Sequence, residues 1–228
     1  MKPQLQRVGN NQSPVVIVDD FSGSAEQIAR LADELAPFPL IEGNYYPGVR
    51  RVITEADEAA YDYVFATCRG AGPFIGGAFE VNGFDLIEGS FSVVSLQPHE
   101  LQPVQRAPHF DSTDQALLAG LHYLRVPAGT GTAFFRHRAT GIERITDANL
   151  DVYVSAARAE SAQLPPDSGY IAGSNQFYEQ IAFVVAVPDR LILYHGSLLH
   201  SGIVPEGMSL SADPREGRLT ANFFLRGR

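Results

Sequence analysis

The chain has 228 residues, 45% of them apolar and 19% charged, with a formal net charge of −9. That composition supports a sizeable buried core and excludes a disordered chain. The acidic balance speaks against nucleic acid or an anionic membrane as partner, because both call for a basic surface.

A single cysteine, Cys68, excludes an intrachain disulfide and suits a reducing compartment. The opening "MKPQLQRVGNNQSPVVIVDD" holds no apolar run of signal-peptide or membrane-spanning length, so a cytoplasmic protein is expected. Within it, "PVVIVDD" is β-branched, ends in a turn and reads as a strand. "SGSAEQIARLADELAPF" reads as a helix capped by Ser24, with Ile28, Leu31, Ala32 and Leu35 recurring at helical spacing. "ITEADEAAYDYVFATC" reads as a second helix, with Thr54 as its cap and acidic residues in its first turn. Cys68 falls late in that pattern, where a small packed side chain is expected.

The text then changes character. "FEVNGFDLIEGSFSVVSL", "QALLAGLHYLRV", "GTAFFRH", "QIAFVVAV", "RLILYHG" and "RLTANFFL" are short β-branched and aromatic runs punctuated by Gly, Pro, Asn and Asp. Such a series predicts a mainly β protein with flanking helices, a sandwich, barrel or jelly roll. Residues 142–180 break the pattern with weak helical periodicity and a Pro-Pro step. They read as an insertion between strands, a lid or wall.

Chemistry concentrates in two places. In "PHFDSTDQ", His109 and Asp111 lie at i and i+2, so on an extended chain they share one face while Phe110 takes the other. In "LILYHGSLLHSG", His195 and His200 follow an apolar run. One of them would complete a 2-His-1-carboxylate facial triad, which suits non-haem Fe(II) and leaves positions open. Further on, "EGRLTANFFL" places Arg218, Thr220, Asn222 and Phe224 on one face of a strand and Leu219, Ala221, Phe223 and Leu225 on the other. An inward arginine needs a partner, and a ligand carboxylate suits its two parallel donors.

The order of these features resembles the Fe(II)/2-oxoglutarate-dependent dioxygenases. "SFSVVSLQPHELQPVQRAPHFD" is similar to the lead-in of the prolyl-4-hydroxylase branch, and "LILYHGSLLHSG" to the phytanoyl-CoA-hydroxylase branch. "NYYPGVR" with "FFRHRATG" resembles the bacterial DUF6445 family. The likeness to the dioxygenases spans roughly residues 90–225, with 142–180 outside it.

The resemblance implies a double-stranded β-helix (jelly roll, cupin-like) in one domain over 1–228. Residues 1–75 would supply a strand and helices packed on a core formed by 80–228. It implies Fe(II) held by His109, Asp111 and His200, with 2-oxoglutarate and O2 as cosubstrates. Arg218, Thr220 and Tyr123 would bind the cosubstrate's distal carboxylate, with Arg215 as the alternative arginine. Hydroxylation of a small molecule, amino acid or peptide is then the expected reaction. Asp111 stands where halogenating relatives carry a small residue, which argues against halogenation.

Two other readings remain open at this level. One is a cupin-type metal protein without 2-oxoglutarate, in which His195 could be a fourth ligand. The other is a non-catalytic module that binds a sugar or peptide. His195 could equally orient a ligand or line the pocket. Arg136, His137 and Arg138 in "FFRHR" form either a pocket wall or a solvated basic turn.

Overall fold

The computed structural model describes residues 2–40, 46–161, 163–165 and 168–228. Asn44 and Tyr45 of "NYYPGVR" lie outside the described residues, as do positions 162, 166 and 167 of the expected insertion. Ten strands are described: β1 Lys2–Val8, β2 Ser13–Asp19, β3 Gly48–Val52, β4 Phe84–Val94, β5 Leu117–Arg125, β6 Gly131–His137, β7 Tyr178–Val185, β8 Leu191–His195, β9 His200–Ile203 and β10 Arg218–Gly227. The helices are α1 Ala25–Glu34, α2 Glu58–Phe79 and α3 Leu150–Ser161. None of the described helices is long and apolar enough to cross a membrane.

The strands form two antiparallel sheets, a large one in the order β1-β2-β8-β5-β10-β4-β3 and a small one in the order β7-β6-β9. His109 adds a single bridge to His200 at the free edge of β9. This is the double-stranded β-helix, widened at both edges of its large sheet.

Alternation along each strand builds three apolar layers. Val16 and Val18 of β2, Leu191 and Leu193 of β8, and Leu219, Ala221 and Phe223 of β10 face α1 and α2. Val15, Ile17, Ile192, Tyr194 and Tyr123 face inward between the sheets, against Phe134. Ala133, Phe135, Leu199 and Ile203 face outward from the small sheet, against Tyr153 of α3. Each buried Leu, Ile or Phe contributes about 1.5–3 kcal/mol. β2 and β8 are apolar on both faces because both faces are covered.

The residues before position 80 supply three strands of the large sheet as well as two helices. β1 carries a polar sequence because it is an edge strand, with Pro3 where no interior ladder bond is needed. α2 runs 22 residues, past the expected stretch and through Pro73, so Cys68 lies mid-helix. Cys68 is buried, and burial pushes its thiol up to about 11, which marks a packed group rather than a reactive one. Asp57, not Thr54, occupies the N-cap position of α2, and the Thr54 amide and hydroxyl donate to its carboxylate at 2.8 and 3.0 Å. Ser24 precedes α1 as expected, but its hydroxyl makes no capping bond.

Within 142–180, the described part includes α3, Leu150–Ser161. α3 packs behind the small sheet, and the Tyr153 ring meets Phe110 at 6.1 Å while its hydroxyl donates to the Pro108 carbonyl at 3.3 Å. Residues 178–180 belong to β7.

Candidate metal centre

His109, Asp111 and His200 converge at the mouth between the sheets, with one potential ligand atom from each lying within 4.8 Å of the others. The backbone brings them together. The His109 amide donates to the His200 carbonyl at 2.9 Å and the His200 amide returns the bond at 2.8 Å. The Asp111 amide donates to the Gly196 carbonyl at 2.7 Å.

The side chains do not satisfy one another. His109 Nε2 lies 4.0 Å from Asp111 Oδ1, and His200 Nε2 lies 3.8 Å from Asp111 Oδ2. Both exceed hydrogen-bond length, so the pair is no structural His–Asp bond. They approach the roughly 3–4 Å separation of atoms sharing an ion at 2.0–2.2 Å. Asp111 Oδ2 is buried without a hydrogen-bond partner among the described residues.

Electrostatics fits a cation at this point. Burial raises the Asp111 carboxyl to about 6 against the opposing charges of His109 and Arg50. Burial and the neighbouring His200 hold His109 down to about 4, although its ring edge is open to solvent. Burial does the same to His200, opposed by the Leu198 carbonyl. Both imidazoles are therefore neutral near pH 7, as metal ligands must be. The Leu198 carbonyl accepts from His200 Nδ1 at 2.7 Å, which leaves the Nε2 lone pair facing Asp111.

His195 does not join them. Along β8, Ile192 and Tyr194 face inward while Leu191, Leu193 and His195 face α2. The His195 ring meets Phe79 at 5.1 Å, and burial holds it down to about 4. The expectation that it could be a fourth ligand or line the pocket is corrected by strand parity.

Deeper between the sheets, Arg218 is 3% exposed, and its Nε and Nη2 find no hydrogen-bond partner among the described residues. Its guanidinium lies 5.7 Å from the centre of the Tyr123 ring. Thr220 is cross-strand from Tyr123, and the buried Tyr46 hydroxyl sits beside both Thr220 and Arg218. The Tyr123 hydroxyl is already bonded to Thr132 Oγ1 at 2.7 Å. Arg215 points elsewhere, pairing with Asp213 on the surface.

"FFRHR" is structural. Arg136 pairs with Glu143 and Glu179, His137 is buried between Thr140 and Glu160, and Arg138 donates to the Asn175 carbonyl. A cavity of about 560 Å3 lined by Arg106, Leu164, Ser168 and residues 170–176 includes none of the triad.

Sequence reasoning missed three residues near the triad. Tyr194 packs edge-on against the His200 ring at 4.8 Å, and its inward parity was readable in "LILYH". Gly196 lies so close to Asp111 that a Cβ there would meet Asp111 Oδ2 at 3.1 Å and Leu117 Cδ2 at 2.9 Å. Arg50 sits on the inner side of β3, and the only signal was the doubled arginine of "GVRRV".

Residues 1–225 match the sequence profile of a family of unknown function, DUF6445. The chain belongs to this family. No curated protein matches this DUF6445 chain in sequence. Among solved structures it is similar to the non-haem α-ketoglutarate-dependent epimerase SnoN from nogalamycin biosynthesis, at 14% identity over 94% of this chain and 79% of that one, TM-score 0.55. It is also similar to HygX from Streptomyces hygroscopicus, solved with nickel, 2-oxoglutarate and hygromycin B, at 14% identity over 94% and 82% of the two chains, TM-score 0.51. At these identities the likeness establishes the fold that the DUF6445 chain shares with such enzymes.

Proposed function

We propose that the protein is an Fe(II)- and 2-oxoglutarate-dependent oxygenase acting on a small molecule or peptide, with hydroxylation as its outcome. The observation that carries this reading is Arg218. A buried guanidinium with two donors unpartnered among the described residues is costly unless a ligand supplies the counter-charge. It lies on the same inner side as a triad whose buried Asp111 oxygen also has no partner among the described residues. A carboxylate oxygen and a guanidinium, both buried and both without a described partner, would suit a cation and an anionic cosubstrate respectively. SnoN has been solved with Fe3+ and α-ketoglutarate and HygX with nickel and 2-oxoglutarate, both on this fold.

His109, Asp111 and His200 would hold the iron, and Arg218 would take the distal carboxylate of 2-oxoglutarate with Thr220 beside it. With these bound, the centre supplies O2-dependent oxidation coupled to conversion of 2-oxoglutarate to succinate and CO2. The chain's own residues do the rest. His109, Asp111 and His200, two imidazoles and one carboxylate, would supply the three protein ligands of such a centre. Leu198 keeps His200 in the tautomer that coordinates through Nε2. Tyr123, its hydroxyl held by Thr132, places its ring beside the Arg218 guanidinium and would share that hydroxyl with the same carboxylate. Tyr194, Phe134 and Ile192, buried together between the sheets, would keep water from the space beside the site.

The test is anaerobic addition of Fe(II) and 2-oxoglutarate, followed by O2. The expected result is a weak visible charge-transfer band, then slow succinate release without substrate. Absence of both, with 2-oxoglutarate affinity unchanged in Arg218→Ala, would overturn the assignment. The cupin-type alternative loses its fourth ligand, since His195 lies on the far face of β8.

A further inference from the structure

One charged pair between the sheets belongs neither to the triad nor to the Arg218 corner. β3 places Arg50 inward, and Arg51 turns outward to pair with Asp57. Arg50 Nε donates to Ser90 Oγ at 2.9 Å, Nη2 donates to Glu88, and the guanidinium lies 5.3 Å from the centre of the Phe224 ring. Three contacts from β4 and β10 thus hold it rigidly, while Nη1 bonds no described residue. The pair is neither sealed nor loose, with side chains 17% and 32% exposed.

Strand register locates the pair. Arg50 is cross-strand from Ser92, Ser92 from Thr220 and Thr220 from Tyr123, so one row runs from Arg50 to the proposed cosubstrate corner. Glu88 is cross-strand from Phe224 and Phe224 from Ala119, two residues before Leu121 on the strand that leads back to the triad mouth.

Charge balance says what such a pair accepts. Fe(II), Asp111, Arg218 and 2-oxoglutarate sum to zero, and so do Arg50 and Glu88. An added lone carboxylate or lone ammonium would leave a net charge in a poorly solvated cleft, whereas a zwitterion would not. A guanidinium with one free edge beside a partly open carboxylate is complementary to both ends of an amino-acid head group.

We propose that Arg50 and Glu88 anchor a zwitterionic substrate, the carboxylate on Arg50 Nη1 and the ammonium on Glu88, so that the substrate is a free amino acid or a close analogue with both groups unblocked. The anchoring is a binding claim in its own right; that the bound molecule is then oxidised rests on the oxygenase reading.

The test is saturation-transfer NMR of a pool of free L-amino acids against the full chain, metal-free and loaded with Zn(II) and 2-oxoglutarate. N-acetyl and carboxamide derivatives of each hit run in parallel. The expected result is one or a few free amino acids bound, with either blocked form weaker by about tenfold or more. Arg50→Gln and Glu88→Gln should each weaken the hit by a similar factor and leave 2-oxoglutarate affinity within about twofold. Should Arg50→Gln melt early, Arg50→Lys keeps the charge, loses the fork geometry and should show the same loss. No free amino acid bound in either state, blocked forms bound as well as free ones, or unchanged affinity in both variants overturns the proposal. A hit that depends on Arg50 in a protein forming no Fe(II)–2-oxoglutarate band would sink the oxygenase reading and leave this one standing.

Discussion

His109 and His200 exchange both of their backbone hydrogen bonds, at 2.9 and 2.8 Å, and their rings stand 4.3 Å apart. Two imidazoles far apart in the chain are thus held as neighbours by main chain alone. A backbone that pairs the two would lower the ordering cost of binding a metal between them.

The first prediction separates the two histidines of "LYHGSLLHSG". His200→Ala should weaken Fe(II) binding more than about 100-fold, because a ligand is lost and Asp111 keeps only one imidazole beside it. His195→Ala should leave metal affinity within about threefold, since its ring faces Phe79 on the other side of the sheet. Anaerobic metal titration reads both. In the wild type, metal at about 100 times its Kd should add about 2.7 kcal/mol of stability, and His200→Ala should lose that gain.

Arg218→Gln should act in opposite directions on binding and stability. Affinity for 2-oxoglutarate should fall about 30-fold or more with the loss of a charge-assisted fork. The ligand-free protein should melt no earlier than wild type, because the substitution removes a buried charge whose Nε and Nη2 have no partner among the described residues. Calorimetry and thermal melts check the two halves. Tyr123→Phe should weaken 2-oxoglutarate less, because Thr132 already shares its hydroxyl.

Gly196→Ala tests how closely the backbone supports Asp111. The added methyl would press on Leu117 Cδ2 at 2.9 Å and on Asp111 Cβ at 3.2 Å. Asp111 cannot step aside without losing its 2.7 Å amide bond to Gly196. Metal affinity should drop about 10–100-fold while far-UV circular dichroism is unchanged. Unaltered affinity would mean that the ligand loop yields freely.

Away from the site, Asp189 governs acid stability. Burial works to raise its carboxyl, but bonds from His122, Ser22 and the Gly23 amide outweigh that and hold it well below the usual range. A depressed carboxylate stabilises the fold above its unfolded value, near pH 4, and that stability is lost as pH falls further. Asp189→Asn should therefore cost roughly 2–4 kcal/mol at pH 7. Below about pH 4 its stability should fall less steeply than that of wild type, as read by denaturant melts across pH.

Much of this was legible in the chain. The alternation in "RLTANFFL" put Arg218 and Thr220 opposite Leu219 and Ala221, and the structure has them so. His109 and Asp111 share a face because they stand two apart on extended backbone, with Phe110 turned towards Tyr153. β1, β3 and β9 escaped notice for physical reasons. β1 and β3 are edge strands whose polar residues face solvent or the cleft, and β9 has only four residues. The cap of α2 falls at Asp57, three residues past Thr54, because the Asp57 carboxylate accepts from the Thr54 amide and hydroxyl and so holds Thr54 in the turn before the helix.

By itself the sequence determined which residue types could do chemistry and which face of its own strand each one takes, since a period of two is a local property. Only the tertiary structure decided which faces meet. β8 puts Tyr194 inside and His195 outside because β2 and β5 flank it and α2 covers one side. Arg50 became a site residue because β3 pairs with β4 in a register that aligns Arg50 with Ser92 and, through it, Thr220. Those pairings are long-range hydrogen-bond ladders whose partners no local pattern names.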